Sequence, residues 1–292
     1  MTPRVREILS WYRAENGGVL ANLARILNHG KLAGTGKLLF HSVPEGQSFH
    51  PIQAFACNPD SYEPAYHFNC AVEAGANALI APLGFIESTV AEYTGEIPLV
   101  VSVFCRRDQR HANKEKYMQR VLQCGAVGIQ ILLEEENPSE FLNELSEWST
   151  VAAQWGLVVM LNIKGTSSLE KMAKWVNEVS SYGVAHIVIV SAPDSSDQER
   201  TYNSDYERYH VKSDVLVEQV RHLTDCHLMG RRLLMINERL WKSEDEGFSE
   251  VRRWAEGGAF GAVLAENISR RPDREAIDFS IRVMNFFVGN EL

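Results

Sequence analysis

Short apolar runs recur along the chain, separated by amphipathic stretches that end in glycine. Gly75-Ala76-Asn77-Ala78 leads into Leu79–Ala81, Gly125-Ala126-Val127-Gly128 into Ile129–Leu133, and Gly156 into Leu157–Leu161. Gly183 precedes His186–Val190, and Gly258-Ala259-Phe260-Gly261 precedes Ala262–Ala265. A left-handed glycine closes a helix, and a continuous apolar run reads as a strand buried on both faces. Lys37–Val43, Ile97–Phe104 and Arg232–Asn237 bring the strands to eight. Helices are predicted at Tyr62–Ala74, Asn113–Gln123, Glu140–Trp155, Ser168–Ser181, Asp214–Leu223 and Glu244–Glu256. Strands alternating with helices specify a parallel sheet, and eight such units specify an α/β fold closed into a (β/α)8 (TIM) barrel. A doubly wound open sheet is the alternative. No Gly-rich dinucleotide fingerprint follows the first strand, which counts against it.

Residues 1–35 form a predicted N-terminal helical extension, with helices at Val5–Tyr12 and Val19–Leu27 around Asn16-Gly17-Gly18. They are placed to plug the bottom of the barrel or to make a subunit contact. Residues 36–292 are the barrel, and no Pro/Ser-rich linker divides the chain, so 1–292 reads as one domain. The longest irregular stretch, Ser191–Asn203, follows the sixth strand, where barrels carry active-site loops; it reads equally as a surface loop.

Composition narrows the function. The 292 residues are 45% hydrophobic with a net charge of −9. No basic stripe offers a nucleic-acid footprint, and no run of about 18 apolar residues offers a membrane span. The N-terminus has no apolar signal-peptide core. Five cysteines without CxxC spacing argue against a disulfide framework or a zinc site and for a reducing cytoplasm; they read as buried structural residues. The run Glu134-Glu135-Glu136 reads as a solvated turn rather than a cation site.

Three segments carry a family resemblance. The first is Leu9-Ser10-Trp11-Tyr12 with Ala21–Leu27, His29-Gly30-Lys31-Leu32 and Gly34–Leu38. The second is Phe55 with Asn58-Pro59 and Tyr66-His67-Phe68. The third is Glu73-Ala74-Gly75 with Asn77-Ala78, Ala81–Phe85 and Gly95–Leu99. Over Ile8–Leu99 the chain resembles archaeal-type class I fructose-bisphosphate aldolases, in particular their bacterial members. The resemblance implies a (β/α)8 barrel assembled into homo-oligomers. It also implies sugar-bisphosphate cleavage through a lysine Schiff base, which needs no cofactor or metal.

That chemistry needs an amine able to attack a ketone, an acid/base group within reach, and donors for phosphate. Position by position, the family's equipment is replaced. The acid/base Asp after the first strand falls on Pro44, with Glu45 beside it. The Schiff-base lysine of the sixth strand falls on Val188 or Val190, and a lysine of the third strand falls on Ser102. The phosphate-holding ends of strands seven and eight become Met235-Ile236-Asn237-Glu238 and Ala265-Glu266-Asn267. Only Asn267 survives there, and two carboxylates stand where phosphate sits in the family.

One amine is well placed: Lys164, at the end of the fifth strand, is the candidate Schiff-base residue, with Glu45 the candidate acid/base. Asn162, Glu238, Glu266 and Asn267 are the candidate ligand-binding groups. Paired with His41 or His50, the carboxylates read alternatively as a cation site. His67 reads as packed structure. Arg231-Arg232 and Arg270-Arg271 either attract a phosphate or an acidic partner or are inert rim charges. The primary expectation is a catalytically degenerate, oligomeric scaffold or binding barrel. The alternative is a carbon–carbon lyase with a rebuilt site on Lys164. Either allows a small anionic or carbonyl metabolite, or a protein, as partner.

Overall fold

The computed structural model describes residues 1–45, 50–105, 113–134, 138–164, 168–193, 206, 208–209, 211 and 215–289. Eight parallel strands close into a barrel in sequence order: β1 (Leu38–Ser42), β2 (Ala78–Pro82), β3 (Leu99–Phe104), β4 (Gly128–Glu134), β5 (Val158–Lys164), β6 (Ile187–Ser191), β7 (Leu233–Asn237) and β8 (Gly261–Leu264). The strands fall within one to three residues of the expected runs, the largest difference being β5, which continues to Lys164. Around them lie α3 (Pro51–Phe55), α4 (Pro64–Ala74), α5 (Leu83–Thr89), α6 (Lys114–Gln123), α7 (Leu142–Gln154), α8 (Leu169–Tyr182), α9 (Leu216–Cys226) and α10 (Glu244–Glu256). A short α11 (Glu266–Ser269) and a long α12 (Asp273–Val288) follow β8. Gly75 and Gly183 end α4 and α8 in the left-handed region, as the punctuation required.

The seam between β1 and β8 closes through Leu38↔Gly261. A Cβ on Gly261 would lie 1.8 Å from the Leu38 carbonyl oxygen, so only glycine lets the two backbones meet.

Side chains alternate between two cores. Leu39, Val101, Ile131, Leu161, Val188, Ile236 and Ala262 pack outward against the helices. Leu38, Phe40, Ile80, Val100, Met160, Ile187, Ile189 and Met235 fill the barrel interior. The extension belongs to the interior core. Helices α1 (Pro3–Ser10) and α2 (Gly17–Leu27) start at Thr2 and Asn16, whose side chains accept the N–H groups of Val5 and Val19. They bring Val5, Ile8, Leu23, Ile26 and Leu27 under the lumen together with Tyr12. The Tyr12 hydroxyl donates to the His186 carbonyl at 2.6 Å and accepts from the Leu233 N–H at 3.1 Å, fastening the plug to β6 and β7. The extension therefore acts as the floor of the barrel.

The cysteines depart from expectation in one place. Cys70 and Cys105 are buried and Cys124 and Cys226 half-buried, but Cys57 is exposed. Among the described residues no helix is long and apolar enough to cross a membrane.

Candidate functional site

Above the apolar floor, the interior positions turn polar at the C-terminal ends of the strands. Ser42, Ser102, Asn162 and Asn237 stand two residues on from interior apolar positions, so they face the same lumen, and Gln130 is the register partner of Ser102. Glu134 and Lys164 are register partners at the ends of β4 and β5, one step higher. A cavity of about 130 Å³ opens here, lined by Glu45, Asn162, Lys164, Glu238, Arg239 and Glu266 among others. Of the candidate site residues Glu45, Asn162, Lys164, Glu238, Glu266 and Asn267, all but Asn267 line this one mouth. Lys164 reaches across it, its Nζ donating to the Glu45 carbonyl at 3.4 Å.

Glu45, the candidate acid/base beside Pro44, lines the mouth. β1 has ended at Ser42, strand alternation no longer governs, and the side chain turns into the mouth. The Ser102 hydroxyl donates to its Oε2 at 2.6 Å, while Oε1 is buried with no protein partner among the described residues. Burial pushes the Glu45 carboxyl up to about 7, although Ser102 and Lys164 pull the other way. Glu134 pushes it further up, so that residue is part of the mouth's electrostatics rather than only a solvated turn. Its neighbours Glu135 and Glu136 lie outside the described residues, as do Gly165 and most of the loop expected at 191–203. Asn162 is buried; its Nδ2 donates to Gln130 Oε1 at 3.3 Å and its Oδ1 has no partner among the described residues.

On the far side, Glu238 is already occupied. Its Oε1 accepts the backbone N–H groups of Ala265 at 2.7 Å and Asn267 at 2.9 Å, and its Oε2 accepts Asn267 Nδ2 at 2.9 Å. The loops after strands seven and eight, leading into a short extra helix, are where barrels commonly seat a phosphate. Here an internal carboxylate takes those donors. Burial, the largest influence, pushes Glu238 up to about 7 against the three hydrogen bonds. Asn267 is consumed by the same arrangement, donating also to the Arg239 carbonyl at 2.8 Å. Arg239 itself is held by Glu250 and Glu246.

Val188 and Val190, expected where a catalytic lysine would stand, pack outward in the layer under the helices. The interior positions of β6 are Ile187 and Ile189, followed in the same parity by Ser191. The register is one residue off the expectation, and the consequence is unchanged: no interior position of β6 carries an amine.

The other candidates disperse. His41 faces outward, its Nε2 2.9 Å from Ser280 Oγ on α12, and burial drops its pKa to about 3. His50 is exposed before α3, and no group of three or more His, Cys, Asp or Glu among the described residues could hold a metal ion. His67 packs edge-on against Phe55, Tyr66 and Phe85, as a structural residue should. Arg232 lies at the opposite end, donating to the Trp11 carbonyl beneath the barrel. Arg270 donates to the Gln53 carbonyl, and the Arg271 guanidinium lies 4.2 Å from the centre of the Phe279 ring. Ser42, Gln130, Asn237 and Arg239 were not singled out in the sequence. A polar residue in phase with the interior apolar positions of its strand would have marked Ser42 and Asn237.

No protein-family model matches the chain. It is 28% identical over 88 residues to a probable class 1 fructose-bisphosphate aldolase of Chlamydia muridarum, and 30% identical over 88 residues to the one of Chlamydia trachomatis. Each match covers 30% of this chain and 25% of the relative's length. Among solved structures, a fructose-bisphosphate aldolase from Slackia heliotrinireducens superposes with a TM-score of 0.71 at 17% identity, over 94% of this chain and 91% of that one. An archaeal fructose 1,6-bisphosphate aldolase superposes at 0.66 and 16% identity, over 87% and 94%.

Proposed function

We propose that this chain, a divergent relative of the class I fructose-bisphosphate aldolases, has given up sugar-bisphosphate cleavage and serves as a catalytically degenerate binding barrel. The observation that carries the reading is Glu238. Its carboxyl group holds the Ala265 and Asn267 amides, so an incoming phosphate must displace a covalently attached acceptor before it gains those donors. Glu266 lines the same wall and repels it further. The missing amine on β6 points the same way. Assembly with copies of itself in the cytoplasm belongs to the proposal. Trp155, Tyr182, Leu228 and Met229 are exposed where α7, α8 and α9 end, and apolar groups gathered at one end suit a subunit contact. Calorimetric titration with fructose 1,6-bisphosphate, run beside a cleavage assay, tests the reading. No heat of binding and no triose phosphate are expected; cleavage would end it.

A second reading has its own support. Lys164 stands at the C-terminal rim beside the Glu45 carboxyl group, whose pKa is lifted to about 7 and which has one oxygen without a partner among the described residues. An amine with such a neighbour is the equipment of a carbon–carbon lyase acting on a carbonyl compound. Borohydride reduction with dihydroxyacetone would then fix an adduct on Lys164, and Lys164→Met would abolish it.

A further inference from the structure

Two opposite charges line the mouth of the barrel without meeting each other. The Lys164 ammonium makes one long hydrogen bond, 3.4 Å to the Glu45 carbonyl, and no ion pair among the described residues. The Glu266 carboxylate takes no hydrogen bond and makes no ion pair among them. Both residues are half-buried and line the same cavity. Charges drawn part-way out of water without a partner are costly, and a concave site that keeps two of opposite sign apart has room for a ligand that completes both.

The other charged groups of the mouth are engaged or turned away from it. Arg239 pairs with Glu246 and Glu250. Glu238 accepts the hydrogen bonds of Ala265 and Asn267. Glu45 Oε2 accepts from Ser102, and its Oε1 is buried away from the open space. Glu134, the register partner of Lys164, does not line the cavity. Among the described residues the open charges are thus one cation and one anion. A simple anion would gain Lys164 and face Glu266; a simple cation would gain Glu266 and face Lys164. A molecule carrying both charges gains both contacts. Size sets the last limit. An apolar protein cavity of about 150 Å³ accommodates benzene, so a cavity of about 130 Å³ takes on the order of six non-hydrogen atoms, the size of alanine.

We propose that this mouth binds a small zwitterionic α-amino acid, its carboxylate on the Lys164 ammonium and its ammonium on the Glu266 carboxylate. The proposal rests on the reading that the barrel binds rather than cleaves, with the phosphate seat closed by Glu238, and it names the class of ligand. Lys164 acts as a hydrogen-bond donor and no covalent bond forms.

Ligand-observed NMR titration with L-alanine, L-lactate and L-alaninamide tests it. L-Lactate keeps the carboxylate and replaces the ammonium by a hydroxyl; L-alaninamide keeps the ammonium and loses the carboxylate charge. None of the three carries an aldehyde or ketone that could condense with Lys164. L-Alanine should bind the wild-type chain at least tenfold more tightly than either. Glu266→Gln should weaken L-alanine at least fivefold and leave L-lactate no weaker. Lys164→Gln should weaken L-alanine at least fivefold and leave L-alaninamide no weaker. Unchanged melting temperatures would show that both variants fold, and the comparison of the three ligands on wild type needs no variant. Equal binding of the three, or no binding of L-alanine, would overturn the proposal. So would an affinity for L-alanine unchanged in either variant. Those outcomes leave the closed phosphate seat standing, which falls instead if fructose 1,6-bisphosphate is bound or cleaved in the same buffer.

Discussion

Replacing Glu238 by Gln tests the electrostatics of the closed seat. In the folded chain the carboxyl group is enclosed, and burial lifts its pKa from the ordinary value of 4.5 to about 7. In the unfolded chain it releases its proton near the ordinary value. Between those two values the folded state holds a proton that the unfolded state has lost. The free energy of unfolding therefore falls as pH rises through this window. The shift from 4.5 to about 7 corresponds to about 3 kcal/mol. Glutamine is neutral throughout and has no such dependence. At pH 4.5 the variant should be less stable than wild type by about 1–3 kcal/mol, because its amide meets Asn267 Nδ2 donor to donor. By pH 8 it should have recovered about 3 kcal/mol relative to wild type. The buried histidines His41, His67 and His227, all held below their ordinary pKa by burial, destabilise both proteins equally in acid and cancel in the difference. Urea denaturation of the pair across pH 4.5–8 measures it. If wild type instead gained on the variant as pH rose, the three donors would be holding Glu238 ionised with a lowered pKa, and burial would not dominate.

Other consequences follow from single contacts. Tyr12→Phe removes the hydroxyl that joins the His186 carbonyl and the Leu233 N–H; a loss of about 1–3 kcal/mol in urea denaturation is expected. Gly261→Ala puts a methyl group 1.8 Å from the Leu38 carbonyl oxygen, and circular dichroism should report loss of the cooperative fold. Val188→Lys buries an ammonium in the outer apolar layer and should unfold the barrel, whereas Ser191→Lys, at the half-buried end of β6, should stay within about 1 kcal/mol of wild type. The reverse ranking would mean that the assigned inward and outward faces of β6 are exchanged.

The barrel was legible because its signals are local and repeated. Each helix-closing glycine and each apolar run is set by a few neighbouring residues, and closure follows from their number. The faces of β6 were not legible, because Ile187, Val188, Ile189 and Val190 are all apolar. A strand buried on both sides carries no alternation to separate its lumen side from its helix side. Ser191 was the one polar marker of parity, and it lies at the strand's last position. β5 was easier, since Asn162 and Lys164 share the inward parity and β5 continues to its lysine. Glu45 and Glu238 were candidates from the sequence, but what their side chains meet was not legible, for another reason. Each lies just past a strand, where the backbone path decides what the side chain meets. That Glu238 turns onto the amides of Ala265 and Asn267 depends on a loop 27 residues further along the chain. Nothing in the local sequence states it.

The reading proposed for this (β/α)8 barrel is that it does not cleave sugar bisphosphates through a lysine Schiff base. Reduction with borohydride in the presence of fructose 1,6-bisphosphate, followed by intact-mass measurement of the chain, tests it most directly. The account predicts an unchanged mass. A mass increase matching one reduced triose phosphate, on any lysine, would contradict it.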